Sequence, residues 1–324
     1  MADIQSLVWQ HKGFLTLGAA LSSFVLGIIV PAHSPPAQGV NLPATRLTGG
    51  AENIAAIPAV KPAVEQQVKG FTLALATIEK EKANSVTFPV PARFQGQIVY
   101  RLNVSAQEKV VALTFDDGPW PSTPAVLDIL KRNSIKATFF WIGRHLQKYP
   151  DIARRVVAEG HAIGNHTWNH RYEPVDQSTA AKEIGSTAAL IYKITGVTTS
   201  LFRPPGGLLN NGFAAWAQKQ KMAVAIWSTD SREFWHPSSE QIASTVLNNI
   251  QSGGVVLMHD GGGEHSATVR ALPPIIAELK KRGYKFVTLP ELLQMKDKQL
   301  EVAAAAKSAN RAGGQTKAPV NPEQ

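Results

Sequence analysis

Residues 110–119 read VVALTFDDGP, an apolar run that ends on two carboxylates and a Gly-Pro turn signal. A short continuous apolar run bounded by a turn predicts a strand buried on both faces, and such strands belong to parallel sheets covered by helices. Six more runs follow: ATFFWI (137–142), HAIGNH (161–166), SLFRPP (200–205), MAVAIW (222–227), GVVLMH (254–259) and KFVTLP (285–290). One helical pattern lies in each gap, at 125–133, 150–160, 178–195, 212–220, 238–250 and 267–283. Strand, helix, strand, repeated, means parallel pairing with crossovers. Gly160, Gly196, Gly253 and Gly283 each follow a helical run, as helix C-caps should.

In a parallel α/β barrel the functional groups sit at the C-terminal ends of the strands. Asp116 and Asp117 end the first run, His166 the third and Arg203 the fourth; Asp230 follows the fifth and His259 ends the sixth. Chance placement would scatter these residues, so their shared position predicts one pocket.

The four-residue spacing of His166 and His170 in HTWNH places two imidazoles on one face if the segment turns helically. Asp117 would complete a two-His, one-carboxylate set with open positions, suited to zinc or another divalent ion acting on water. Because consecutive strand side chains point to opposite sides, Asp117 is assigned to the metal and Asp116 to the substrate side as general base. His259, with an ordinary pKa of about 6.5, is the candidate general acid. Arg203 is expected to orient Asp116 through a bidentate pair, the other reading being a salt bridge with Asp230 or Glu233.

TFDDGP, HTWNH, FRPPGG, DSREFW and VLMHDGGG resemble, in order and approximate spacing, the motifs of the polysaccharide deacetylase family, also called the NodB-homology domain or carbohydrate esterase family 4. The resemblance spans about 110–290. It implies an α/β fold, a distorted (β/α) barrel with about seven parallel strands. It implies a divalent metal, zinc first with cobalt, manganese or nickel as alternatives, held by Asp117, His166 and His170. It further implies Asp116 as base, His259 as acid, Arg203 steering the base, and removal of acetyl groups from a polymer such as peptidoglycan or chitin, or O-acetyl groups from xylan. Pro205, Gly206, Trp168 and Leu257 are the expected substrate-binding positions, with a backbone N–H near Pro205 or Gly206 sharing the oxyanion. The fourth motif departs from the pattern: Glu233-Phe234 stands for the usual Asp-Trp, leaving Glu233 and Asp230 as competing partners of His259. Gly206 stands where many members carry Tyr.

The remaining chain divides around this body, taken as 98–295. Gly13–Val30 is eighteen residues without a charge, read as a signal peptide or membrane anchor within 1–31, which implies export. Residues 32–97 read as a spacer with one helix at 63–83, and 296–324 as a disordered tail. No cysteine is present, which excludes disulfides, thiolate nucleophiles and iron–sulfur clusters. The net charge of +9 is spread rather than blocked, so no nucleic-acid partner is expected and a monomer acting on an acetylated polysaccharide is. No GxSxG follows any strand, which leaves a serine hydrolase unsupported. A non-catalytic carbohydrate-binding relative should have lost a ligand or the base, and none is lost. An iron oxygenase shares the ligand logic but favours antiparallel barrels.

Overall fold

The computed structural model describes residues 86–104 and 108–314, all within the compact unit Lys69–Gln324. The segment Gly13–Val30, the spacer up to residue 85 and its helix at 63–83 lie outside the described residues. The strands are β1 (Val86–Thr87), β2 (Ile98–Val99), β3 (Val110–Gly118), β4 (Thr138–Trp141), β5 (Ala162–Asn165), β6 (Val197–Thr198), β7 (Leu201–Phe202), β8 (Ala223–Ala225), β9 (Thr229–Asp230), β10 (Gly254–His259) and β11 (Lys285–Phe286). The helices are α1 (Thr123–Arg132), α2 (Gly143–Lys148), α3 (Pro150–Ala158), α4 (Gln177–Thr195), α5 (Phe213–Lys219), α6 (Ser239–Asn249), α7 (Ser266–Lys281) and α8 (Leu289–Gly314). All seven expected strands form, each joined to the next by its expected helix. Gly160, Gly196 and Gly283 end α3, α4 and α7 at φ 80°, 71° and 82°, where a Cβ would be strained; Gly253, at φ 72°, is not a cap but lies three residues past the α6 cap Ile250, its N–H bonded to the Val110 carbonyl.

The strands pair in parallel in the order β2-β8-β7-β5-β4-β3-β10-β9, with β11 also on β3. The sheet is curled into the expected distorted barrel. Closure comes from one stretch of chain: β8 pairs β7, and β9, four residues on, pairs β10 at the far end of the order. Side chains alternate accordingly. Val111, Leu113 and Phe115 of β3 face the surrounding helices, while Val110 and Ala112 face the lumen with Phe140, Leu201, Ala223, Ala225 and Val255. Asp116 tops that inner column, so a polar site at the strand ends is built on an apolar floor.

Two boundaries differ from the sequence reading. The body begins before residue 98: Val90 and Phe94 are buried in the luminal cluster with Val99 and Leu102. The tail is not disordered from 296, because α8 continues to Gly314. Leu289, Leu292 and Leu293 anchor its first turns in the same cluster, and the alanine-rich EVAAAAKSANRA that follows propagates a nucleated helix well. Replacing Leu293 by Ala is expected to lower the unfolding free energy by roughly 2–5 kcal/mol in chemical denaturation. Val302→Ala, on the exposed part of the same helix, should change it by less than about 0.5 kcal/mol.

Candidate active site

Asp116 is buried at the end of β3, and Arg203, fully buried in the lumen, donates from Nη1 to its Oδ1 at 2.6 Å. The pair is not bidentate. The same Nη1 also donates to Thr114 Oγ1 at 2.8 Å, and Nε donates to the Ala225 carbonyl at 3.0 Å, so the second edge of the fork belongs to β8. The guanidinium carbon sits 4.1 Å above the Phe140 ring, and Gly164 has no side chain because a Cβ there would lie 2.3 Å from that ring.

The expected alternation of the two carboxylates does not hold. The β3–β4 register shifts between Asp116 and Gly118, and Asp117 has φ 70°, a left-handed conformation within a bulge. Both carboxylates therefore reach one centre: His166 Nε2 lies 3.6 Å from Asp116 Oδ2 and 3.5 Å from Asp117 Oδ1. Asp117 is fixed there by His145 of α2, whose Nδ1 donates to the Asp117 carbonyl at 2.7 Å.

His166 and His170 do converge, with ring centroids 4.8 Å apart, but through an irregular turn rather than a helix. Thr167 and His170 have φ 66° and 58°. The buried carboxylate of Glu183, from α4, accepts the N–H groups of Trp168 (2.9 Å) and Asn169 (2.7 Å) and the Asn169 side-chain amide (2.7 Å). Asn165 Oδ1 accepts the Thr167 N–H at 3.0 Å, and Thr167 Oγ1 accepts that of His170 at 3.1 Å.

His170 Nε2 lies 3.3 Å from Asp117 Oδ1, and the three ligand atoms all lie within 4.8 Å of one another. His166 Nδ1 donates to the Arg203 carbonyl at 2.7 Å, which fixes the tautomer and leaves the Nε2 lone pair aimed at Asp117. Asp117 Oδ1 is buried and has no hydrogen-bond donor. Three acceptor atoms facing one another fit a cation, and the two Asp117–histidine spacings match the roughly 3.4 Å between donors of a tetrahedral ion with 2.0–2.1 Å bonds. Burial above all, with the neighbouring charges, pushes the Asp117 carboxyl up to about 7 and the His166 and His170 imidazoles down to about 3, so both histidines are neutral, as ligands must be.

His259 closes the other side. Its Nδ1 donates to Glu233 Oε2 at 2.7 Å, and Thr268 of α7 donates from Oγ1 to Glu233 Oε1, also at 2.7 Å. Burial pulls the imidazole down, but the Glu233 hydrogen bond and the carboxylates of Glu233, Asp117 and Asp116 outweigh it and raise the pKa to about 9. Asp230 is not the partner: its Oδ1 accepts the Arg232 N–H at 2.7 Å and shapes the turn that carries Glu233 inward.

Of the expected substrate positions, Leu257 is buried on β10, paired in register with Asp230. The Trp168 ring packs on Gly143, where a Cβ would approach within 2.4 Å, so Trp168 braces the turn. Pro205 has no N–H, and the Gly207 and Leu208 N–H groups bond the Pro204 and Pro205 carbonyls. This leaves Gly206, exposed at φ 60° beside the Tyr172 ring, as the N–H donor among them. Glu183, His145 and Thr268 were not anticipated. Their only sequence signal is a polar residue on the inner face of a helix. Asp260, fully buried beside Gly118 and bonded to Thr123 Oγ1 at 2.5 Å, was also missed; burial raises it to about 7.

The model of the family described as polysaccharide deacetylase matches residues 103–225. A peptidoglycan-N-acetylglucosamine deacetylase of Bacillus cereus is 42% identical over 196 residues, 60% of this chain and 92% of that protein. A chitooligosaccharide deacetylase of a Bradyrhizobium species is 38% identical over 202 residues, 56% of this chain and 90% of that protein. The crystal structure of a peptidoglycan N-acetylglucosamine deacetylase in complex with a naphthalenyl N-hydroxybenzamide matches with a TM-score of 0.58 at 35% identity, covering 62% of this chain and 94% of that one.

Two measurements test the geometry. In an NMR titration His259 should lose its proton near pH 9, and in Glu233→Gln well below that, because burial then acts with less opposition. The raised pKa also means that the pair stabilises the fold fully below about pH 6.5 and that this contribution fades as pH climbs through about 9. Glu183→Ala should weaken zinc binding about tenfold to a hundredfold by calorimetry while leaving all three ligands in place.

Proposed function

Because the chain belongs to the polysaccharide deacetylase family, we propose that it is a metal-dependent hydrolase that removes N-acetyl groups from a cell-envelope polysaccharide, peptidoglycan first. The observation that carries this reading is the meeting of Asp117 Oδ1 with the two Nε2 atoms, beside a second carboxylate held by a buried arginine. Peptidoglycan rests on the name of the 42% identical relative, and the chitooligosaccharide relative keeps soluble N-acetylglucosamine oligomers as the second substrate class. Export rests on Gly13–Val30; among the described residues no helix is long and apolar enough to cross a membrane.

Asp117, His166 and His170 would hold the divalent ion, zinc by its donor set. Such an ion supplies a water made nucleophilic near neutral pH and polarises the acetyl carbonyl. Asp116 takes the proton of the attacking water on Oδ2, since Oδ1 is occupied by Arg203. The Arg203 guanidinium holds that carboxylate by Oδ1 and leaves Oδ2 outside the pair. The Gly206 N–H meets the developing oxyanion, an interaction of about 3 kcal/mol for a well-placed donor. His259, protonated through Glu233, delivers a proton from Nε2 to the departing sugar amine, a poor leaving group without one. Glu233 and Thr268 act through His259 as positioning residues.

Purified protein should release acetate from peptidoglycan and from acetylated chitin oligomers, and a chelator should stop both. Asp116→Asn should bind zinc normally by calorimetry and lose turnover by at least about a hundredfold. His170→Ala should lose zinc and turnover together. Near-normal rates in zinc-loaded Asp116→Asn would overturn the assignment of the base.

A further inference from the structure

The end of the barrel opposite the site carries a second chemical feature. In a parallel barrel every strand begins at that end, and four lysines sit there: Lys109 just before β3, Lys136 two residues before β4, Lys221 two before β8, and Lys285 opening β11. All four are exposed, and none forms a salt bridge among the described residues. Lys109 and Lys136 reach backbone carbonyls instead, of Arg282 and Glu159. Lysines in the last turns of α1, α4, α5 and α7 are explained by the helix dipole, but a strand start makes no such demand. Of the carboxylates at that end, Glu278 is paired with Arg282, Glu159 with Arg155 and Asp297 with Arg93, while Glu108 and Glu291 form no salt bridge among the described residues and offset the charge only in part.

The described chain also enters at this end. Val86 of β1 pairs with Val197, the residue after the C-cap Gly196 of α4. The first turns of α8 cross the same region, with Lys296 bonded to the Asn103 carbonyl and Asp297 to Arg93.

We propose that the strand-start lysines, three on the neighbouring strands β3, β4 and β11 and one at β8, form a docking face for an anionic phospholipid surface. The described residues begin on this side, at Val86. Contact here leaves the Asp116–His259 mouth pointing away from lipid, towards polymer. Electrostatic docking of this kind is additive over the basic groups and decays within a Debye length, so it orients the body without inserting it. The proposal is independent of catalysis, and a failed deacetylase assay leaves its test readable.

The test uses the full chain with vesicles of phosphatidylcholine alone or mixed with phosphatidylglycerol. Because the segment Gly13–Val30 can bind either vesicle, the reading is the ratio of the two partition coefficients. At low salt the ratio should be on the order of tenfold or more, falling towards one at high salt. The variant with Lys109, Lys136, Lys221 and Lys285 all changed to Glu should show a ratio near one, with unchanged circular dichroism and unchanged hydrolysis of a soluble acetylated oligomer. Anionic vesicles should also protect the four lysines from amine acylation while Lys148, exposed on α2 beside the site, stays reactive. Equal partitioning of the unmodified protein, an anionic preference retained by the variant, or protection by soluble polyphosphate but not by vesicles would each overturn the proposal.

Discussion

Arg203 is the residue on which the site depends. Its guanidinium joins β3 to β8 through Asp116, Thr114 and the Ala225 carbonyl, its N–H bonds the Asn165 carbonyl, and its own carbonyl fixes the tautomer of His166. One side chain thus orients the base, and one peptide unit orients a ligand. A guanidinium buried in an apolar lumen is costly by itself, and removing one member of such a pair typically costs about 3–5 kcal/mol. The cost is offset here by three good acceptors and the Phe140 face. The Phe140 ring beneath the guanidinium in turn requires glycine at position 164.

The histidines show how placement, not residue type, sets chemistry. His166 and His170 face each other and an orphaned carboxylate oxygen, and burial drives them to about 3. His259 stands a few residues' width away with Glu233 behind it, and rises to about 9. Two neutral imidazoles beside one protonated imidazole are what a site needs if it must hold a cation and deliver a proton without exchanging those roles. The carboxylates divide likewise: Asp116 has a permanent cation of its own, whereas Asp117 is raised to about 7 and its charge would be restored by an ion.

Much of this was legible in the sequence because parallel strands buried on both faces leave long apolar runs, and the polar residue that ends each run marks the active end. What was not legible depends on contacts across the fold. The bulge at Asp117 comes from the β3–β4 register shift, and His145 holds it from a helix of six residues whose own pattern is too short to read. The turn in HTWNH reads as helical by spacing because its real support, Glu183, lies on α4, thirteen residues beyond His170. The choice between Asp230 and Glu233 turned on whether a three-residue turn, with Arg232 and His236 at φ 59° and 50°, swings inward. Short left-handed turns carry no periodicity. The continuation of α8 was missed for the opposite reason: its outer half has propensity but no apolar stripe, and its order derives from the leucines that precede it.

Glu233 links the local departure from the family pattern to the rest of the molecule. A glutamate has one more methylene than an aspartate and one more torsion to fix, so a carboxylate in this position needs a second restraint to hold Nδ1 of the acid histidine. Thr268 supplies it from the first turn of α7, and that turn is reached through the glycine-rich loop after His259, where the His265 ring stacks parallel to His259 at 6.3 Å. The longer side chain is therefore matched by a hydroxyl on a different element. Glu233 and Thr268 together keep the imidazole where a proton must be delivered, and they make the loop 260–266 part of the acid's geometry rather than a mere connection.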